Sequence, residues 1–323
     1  MALPLPKLIY VGLRTFLLPP PKGTGGTVSA RYCYSIYLRH LAMAARNGLP
    51  TAPRVVAEIG PGDSLGIGLT SLLLGADKYY AFDVMEHASV ERNIAVFDEL
   101  VELVRARAPI PGDDEFPENK PRLDDYAFPS HVFDEARLEA ALAPARIARL
   151  RAALAVIRDA EAESPIRYIA PWFDDGVIRP GSVDMIFSQA VMEHVDALEE
   201  AYEACFRWLR PGGFMSHQID FRSHDTADEW NGHWAYSDLT WWAIRGARPW
   251  LLNRQPYSAH LRLIKAQGFE IVHDHRVRLI DGIPRHHLAA RFRTMSEEDL
   301  CTSGAFIQAR KPASLTVAQQ IQP

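Results

Sequence analysis

Seven residues, Glu58-Ile-Gly60-Pro-Gly62-Asp-Ser64, constrain this chain more than any others. They follow Arg54-Val-Val-Ala-Glu-Ile59, a short apolar run that reads as a buried strand. After them comes an apolar segment that Ser64 can cap as a helix, running through Leu74 to a stop at Gly75. Tyr79-Tyr-Ala-Phe-Asp83 is the next strand, so the whole is a βαβ unit with two glycines in its first turn. Missing side chains there let the chain turn sharply and let backbone approach a ligand. Asp83 ends the second strand 21 positions after Gly62. A carboxylate so placed accepts hydrogen bonds from ribose hydroxyls, which points to an adenosine-bearing ligand where the strand order of a parallel sheet reverses.

Two common nucleotide fingerprints fail on this loop. A GxGxxG pattern needs a third glycine where Leu65 stands, and the next glycine is Gly66. No GK[ST] follows, so a phosphate-cradling P-loop is excluded as well. What remains is a nucleoside ligand without a pyrophosphate.

Downstream, strand-like runs recur at Ile166–Ile169, Val183–Phe187, Phe214–Phe221, Phe269–His273 and Gly304–Arg310. Helical patterns alternate with them: Asp134–Ala160, then Asp196 to Arg210, then Ser258–Gln267 ended by Gly268. Asp196-Ala-Leu-Glu199 has capping-box spacing, and Pro211-Gly-Gly213 stops the helix it begins. The spacing predicts an α/β fold, a Rossmann-like doubly wound, mostly parallel seven-stranded sheet with helical lid insertions. Residues 1–50 are expected to form an N-terminal helical segment or lid, with a helix over Val28–Asn47. Residues 51–311 form the main domain, with insertions at about 97–160 and 222–257, and 312–323 a tail. Pro109 to His131 carries five prolines and six acidic residues with little apolar periodicity, and reads as a loop or lid.

Composition excludes several function classes. At 323 residues, 48% hydrophobic and 23% charged, the chain has the make-up of a soluble globular protein rather than a disordered or fibrous one. A net charge of −5 argues against a general nucleic-acid binder, and no reader module is present. Cys33, Cys205 and Cys301 are far apart and lack metal-finger spacing, so neither a disulfide framework nor a zinc site is expected, and the setting expected is cytoplasmic. The apolar run Leu8 to Leu18 is interrupted by Arg14 and is too short to span a bilayer. It is expected to pack on the domain, with a shallow membrane-surface contact as the alternative.

Five stretches together resemble the ordered motifs of the class I S-adenosylmethionine-dependent methyltransferases, in particular a methyltransferase type 11-like domain. They are Val55-Val-Ala-Glu-Ile-Gly-Pro-Gly62, Ala81-Phe-Asp83, Ser182-Val-Asp-Met-Ile-Phe-Ser188, Met192-Glu-His194 and Trp208-Leu-Arg-Pro-Gly-Gly213. The resemblance implies S-adenosyl-L-methionine as cofactor. Glu58, Gly60, Pro61 and Gly62 would line its methionine end, Asp83 would hold the ribose, and Val84 and Met85 would flank the adenine. Ala170-Pro-Trp172 lacks the acid that relatives often place near the adenine amine, so Trp172 is assigned to the ring instead. Ser188 and Gln189 would lie beneath the methyl group. The Glu-His pair after the fourth strand resembles that of small-molecule and sugar O-methyltransferases. Some relatives hold a divalent ion with an ExxEH pattern here, but the first position is Ala190, so no metal is assigned. A site built from Glu193, His194 and a residue of the fifth-strand segment stays open.

Methyl transfer is an in-line displacement at a sulfonium carbon, for which the protein supplies alignment, exclusion of water and, for a hydroxyl acceptor, a base. Glu193 and His194 follow the fourth strand, and Ser216-His-Gln-Ile-Asp-Phe-Arg-Ser-His224 covers the fifth and the loop beyond it. His194, His217, Asp220 and His224 are therefore the candidate catalytic residues, with His233 a further one. Each also has a purely structural alternative: bracing a helix, filling the core or orienting a loop. Trp230, Trp234, Trp241, Trp242 and Trp250 fall close together and suit either a ring-bearing acceptor or a small hydrophobic cap. From Ala243 to Thr294 ten Lys or Arg face three acids, a local +7 that would recruit an anionic acceptor or simply be solvated. The expected reaction is transfer of a methyl group to an oxygen of a small-molecule or saccharide acceptor. A non-catalytic scaffold and an NAD-dependent oxidoreductase are the alternatives, and the glycine spacing disfavours the last.

Overall fold

The computed structural model describes residues 3–18, 26–158, 164–172 and 175–313. Strands β1 (Val55–Ile59), β2 (Lys78–Phe82), β3 (Ile166–Ile169), β4 (Val183–Gln189), β5 (Leu209–Asp220), β6 (Glu270–Arg278) and β7 (Thr302–Arg310) make one sheet in the order β3-β2-β1-β4-β5-β7-β6. β1 to β5 pair in parallel, and β7 inserts antiparallel between β5 and β6. Val56, Tyr79, Ala81, Met185, Phe187 and Phe214 are buried toward one helical layer. Their neighbours Ala57, Ile59, Tyr80, Phe82, Ile186, Met215 and Ile219 are buried toward the other. Parallel strands covered on both faces must be apolar on both, which is why they read as continuous apolar runs.

The first layer contains α2 (Ala30–Arg46), α3 (Gly66–Leu73), α4 (Val90–Arg105) and α6 (Pro144–Ala155), with the short α5 (Glu135–Ala141) beside them. The second contains α7 (Leu198–Trp208) and α9 (Tyr257–Ala266). All seven strands fall where the sequence predicts them, with ends that differ. β5 starts at Leu209, so Pro211-Gly-Gly213 lies inside the strand, where the register with β4 shifts, rather than ending a helix at Arg210. The end of the predicted Asp134–Ala160 helical stretch and residues 314–323 of the tail lie outside the described residues.

Two caps differ from expectation. Ser64 is not the N-cap residue of α3: Leu65 stands there, its N–H taken at 2.9 Å by Asn93 Oδ1 from α4, while the Ser64 hydroxyl donates to the Thr27 carbonyl and accepts from the first helical N–H, that of Gly66, at 3.2 Å. Asp196 does not cap α7 either, because Arg245 engages its carboxylate at 2.6 Å and Ala197 stands at the cap. At Asp196 a tertiary partner outcompetes the local one, whereas the Ser64 hydroxyl serves both.

The lid expectation is also corrected for much of 1–50 and 97–160. α2 is a core helix: Cys33, Tyr34, Ile36, Tyr37, Leu38 and Leu41 are buried on nearly every side of it, with Arg39 and His40 fully buried among them. α4 and α6 belong to the sandwich layer through Phe97, Leu100, Val104, Leu150 and Leu154. The irregular stretch from Ala106 to Pro129 does border the ligand side, and α2 holds it there. Arg39 donates to the carbonyls of Pro121 at 2.8 Å and Pro111 at 3.2 Å, and Tyr34 donates to that of Ala108 at 2.7 Å.

The N-terminal apolar run forms α1 (Leu5–Arg14), which packs on α8 (Asp238–Arg245). The two backbones touch at Gly12, where a Cβ would sit 2.1 Å from the Ala243 carbonyl oxygen. No described helix is long and apolar enough to cross a membrane.

Candidate active site

The strand order reverses between β1 and β4, and a crevice opens beyond their C-terminal ends. Gly60 and Gly62 both stand at φ +73°, the left-handed region that glycine enters without penalty. Gly60 has a second constraint: a Cβ there would lie 2.4 Å from Val191 Cγ2, in the turn leaving β4. Asp83 closes the loop from the side, accepting from the Gly62 N–H at 3.3 Å and the Val84 N–H at 2.8 Å. Burial raises its pKa. Just beyond it Val84 is exposed and Met85 half-buried, an apolar ledge at the end of β2.

Across the crevice, the turns leaving β4 and β5 bring ionisable side chains together. Ala190, His224 and Asp225 all have positive φ, an uncommon conformation for residues with a side chain, and it turns these segments inward. Asn253 clamps the first turn: its N–H donates to the Glu193 carbonyl at 2.7 Å, and its amide to the carbonyls of Met192 and Val195 at 2.8 Å each. Glu193 is 2% exposed, and its carboxylate accepts main-chain hydrogen bonds from its own residue and from Asp220. His194 Nε2 lies 3.9 Å from Glu193 Oε1, and the rings of His194 and His224 meet edge to face with centroids 5.0 Å apart. His224 Nε2 is 3.3 Å from Asp220 Oδ2, whose carboxylate also binds Arg222 at 2.8 Å.

Burial and the nearby Asp220 carboxylate hold the Glu193 pKa well above the usual range. Burial likewise pushes His194 down to about 3, with His224 adding to it, and His233 down to about 3, with Arg254 adding to it. Burial alone would raise Asp220, but hydrogen bonds from His224 and Arg222 outweigh it and keep that carboxylate below its ordinary range. The result is two neutral imidazoles, those of His194 and His233, beside the ionised Asp220 carboxylate and the buried Glu193 carboxyl group.

Comparison with known proteins bears on this arrangement. Residues 143–216, from α6 through β5, match the family model of a methyltransferase domain. That match adds to the glycine loop, the strand-terminal Asp83 and the single antiparallel β7. The match over 143–216 and the α/β sheet around it are consistent with the class I S-adenosylmethionine-dependent methyltransferase superfamily. Similar solved structures include an S-adenosylmethionine-dependent methyltransferase from Mesorhizobium loti (16% identity, 84% of this chain and 97% of that one, TM-score 0.39). Others are a Haemonchus contortus phosphoethanolamine N-methyltransferase 2 in complex with S-adenosyl-L-methionine (13%, 87% and 56%, TM-score 0.41) and a putative sarcosine dimethylglycine methyltransferase from Galdieria sulphuraria (11%, 86% and 85%, TM-score 0.44). No curated protein matches the chain by sequence.

Within this methyltransferase fold, His194, Asp220 and His224 converge as the sequence predicts, and His217 does not join them. Its ring points into the opposite, α7 side of the sheet between Met215 and Ile219, with Nδ1 2.7 Å from Ser188 Oγ and the Tyr202 ring against it. Ser188 is therefore occupied by His217 and fully buried, so its side chain does not face the crevice. Gln189 is spent on scaffolding: Oε1 lies 3.1 Å from His40 Nε2, and Nε2 donates to the Lys120 carbonyl at 3.3 Å. Period-2 alternation explains all three, since adjacent strand residues point to opposite faces. Pro61 is buried, its carbonyl accepting from Thr27 at 2.8 Å. Trp172 is half-buried, its N–H on the Asp83 carbonyl at 2.9 Å and its indole 5.3 Å from both Phe82 and Trp208.

Glu58 does not line the crevice. It is 1% exposed and accepts from the Tyr79 hydroxyl and, at 3.2 Å, the Gly68 N–H, so it anchors the loop from beneath. Burial pushes its pKa up to about 8. The folded state thus holds a proton between about pH 4.5 and 8 that the unfolded chain has lost, and stability falls as pH rises through that window. Against Glu58→Gln, wild type is expected to lose stability with a slope approaching about 1.4 kcal/mol per pH unit. Denaturant unfolding of both proteins from pH 5 to 9 checks this; parallel curves would refute it.

The tryptophan-rich stretch forms a cap rather than a stacking platform. Trp234 and Trp241 are buried around Arg254, whose guanidinium carbon is 4.8 Å from the Trp241 ring centroid and which donates to the Tyr236 carbonyl at 2.7 Å. Trp242 is the exposed member and stacks on Phe16. The basic stretch is neutralised in part: Arg245, Arg276 and Arg285 each pair with an acid, and Arg254 and Arg291 share Asp238. His233, 2% exposed beside Trp234, borders the Asp220–His224 pair and was the weakest sequence candidate. Arg222, which sets the state of Asp220 and reaches Glu118 of the 106–129 stretch at 3.1 Å, carried no motif signal.

Proposed function

We propose that the chain transfers the methyl group of S-adenosylmethionine to an oxygen of a small hydroxylated acceptor, saccharide or similar, using the side chains at the ends of β4 and β5. The observation that carries this is the convergence of Glu193, His194, Asp220 and His224 beside the Gly60–Gly62 turn. Gly60, Gly62 and Asp83 would receive the cofactor, with Val84 and Met85 against its adenine. The acceptor oxygen attacks the methyl carbon, the carbon–sulfur bond breaks with its electron pair passing to sulfur, and the hydroxyl proton is released toward the cluster. Alignment and exclusion of water supply most of the acceleration, and proton removal a further factor of about 100 to 10,000. The Trp-lined cap and the 106–129 stretch would enclose the acceptor.

Calorimetric titration with S-adenosylhomocysteine, with NADH as comparison, tests the cofactor. Micromolar binding of the first and none of the second is expected; binding of NADH alone, or of neither, overturns the reading. With a hydroxylated acceptor in hand, Asp220→Ala is expected to keep S-adenosylhomocysteine affinity within about threefold and lower kcat at least about 100-fold.

A further inference from the structure

α1 carries two apolar stripes where a helix lying on the surface of a globular protein needs one. Leu8, Gly12 and Thr15, spaced i, i+4, i+7, face α8: Leu8 packs with Trp241 and Ile244, and the Thr15 hydroxyl accepts from the Ala247 N–H at 2.7 Å. Tyr10, Leu13 and Leu17, spaced i, i+3, i+7, form the second stripe on the opposite side of the helix and the turn that ends it. All three are exposed, Leu17 by 85%. Leu239 and Trp242 extend the apolar surface onto α8, with Phe16 stacked on Trp242 at 5.5 Å. Nine of the thirteen large hydrophobic side chains exposed among the described residues lie in 3–18 or 238–245, a local concentration rather than the single scattered residues of an ordinary surface. The close backbone contact fixes which side of α1 faces out, since a Cβ at Gly246 would lie 2.0 Å from the Gly12 carbonyl oxygen.

Charge decides what covers this face. Over 3–18 and 238–250, Lys7, Arg14, Arg245 and Arg248 face a single acid, Asp238, a local +3 in a chain of net −5. No acid precedes Glu58 in the sequence, and Lys7 and Arg14 are exposed along one margin of the outward stripe. A second copy docked through the same patch would set these cations against one another with no compensating acid. A bilayer surface meets them with anionic headgroups, while its interface accepts leucines and the rings of Tyr and Trp. We infer that the α1–α8 face docks on an anionic lipid bilayer, lying in the headgroup region without crossing it. The docked face is joined to the crevice by one packed segment: Leu251 and Leu252 pack with Leu8 and Trp241, and the next residue, Asn253, clamps the turn that carries Glu193. Docking of this kind adds to the methyl transfer proposed above and does not depend on it.

The full-length protein is sedimented with vesicles of phosphatidylcholine alone and of phosphatidylcholine with an equal part of phosphatidylglycerol. Binding to the anionic vesicles is expected to be at least about tenfold tighter than to the neutral ones, and to weaken as salt is raised. The double variants Leu13→Glu with Leu17→Glu, and Lys7→Glu with Arg14→Glu, are each expected to weaken it at least about tenfold, whereas Ile280→Glu, exposed elsewhere, leaves it unchanged. Vesicles with brominated acyl chains quench tryptophans that reach them, and the quenching seen in wild type is expected to fall in Trp242→Phe. Unfolding midpoints without lipid show whether a loss of binding reflects loss of fold; should one double variant not fold, the other decides. No sedimentation with anionic vesicles, equal binding to neutral ones, or binding insensitive to both double variants overturns the inference. Light scattering without lipid tests the other occupant: a dimer that the leucine double variant disperses would assign the face to a second copy of the chain and overturn the docking on lipid.

Discussion

Asp83→Ala is expected to weaken S-adenosylhomocysteine binding at least about 100-fold without unfolding the protein. Each hydrogen bond from a ribose hydroxyl to an ionised carboxylate contributes about 1.5 to 3 kcal/mol. Losing two removes about 3 kcal/mol or more, which is two orders of magnitude in Kd. The fold tolerates the change for a reason visible in the free protein. Asp83 is 8% exposed, and its main-chain donors, Gly62 and Val84, lie at the crevice mouth where water can replace it. Because burial raises the carboxyl pKa, the ionised group is held at a cost to the unliganded protein, and removing it relieves that cost. Asp83→Asn keeps one acceptor oxygen and loses the charge, so its affinity should fall between the two. Calorimetry on all three proteins checks the order. Affinity of Asp83→Ala within threefold of wild type would move the ribose elsewhere in the crevice.

The glycine loop and Asp83 were legible because backbone geometry dictates residue type there: a turn at φ +73° and the close approach of Val191 exclude side chains at Gly60. The strands were legible because burial on both faces forces apolar runs. What failed were assignments that depend on which face a side chain takes. His217 and Asp220 are three positions apart in one strand, and so on opposite faces, and only the register of β5 against β4 decides which of them reaches the crevice. Glu58 was misplaced for a similar reason, since its partner Tyr79 comes from the neighbouring strand and leaves no mark in the motif. The convergence of His224 with His194 depends on two loops bent by residues in the left-handed region, and nothing in the amino-acid order announces that bend.

The role of α2 was the least legible part of the fold, and it yields the largest expected effect on stability. Arg39→Ala is expected to destabilise the protein by about 3 to 5 kcal/mol, the range for stripping one partner from a buried polar network. The guanidinium is fully buried, bonded to Ser35 Oγ at 3.0 Å, to the carbonyls of Pro111 and Pro121, and to Asp113 Oδ1 at 3.3 Å, with the Tyr126 ring at 4.9 Å. Truncation leaves those acceptors without a donor and opens a cavity beside them. Arg39→Lys should recover little, because a single ammonium cannot span acceptors that the planar fork bridges. The damage should extend beyond stability. The stretch that Arg39 holds also carries Glu118 against Arg222 and the Lys120 carbonyl against Gln189, so its release loosens the wall of the crevice. Denaturant unfolding reads the first effect, and limited proteolysis within residues 109–131 reads the second. If the alanine variant matched wild type in both, the acidic, proline-rich stretch would hold its shape unaided, and α2 would be packing against it rather than fixing it.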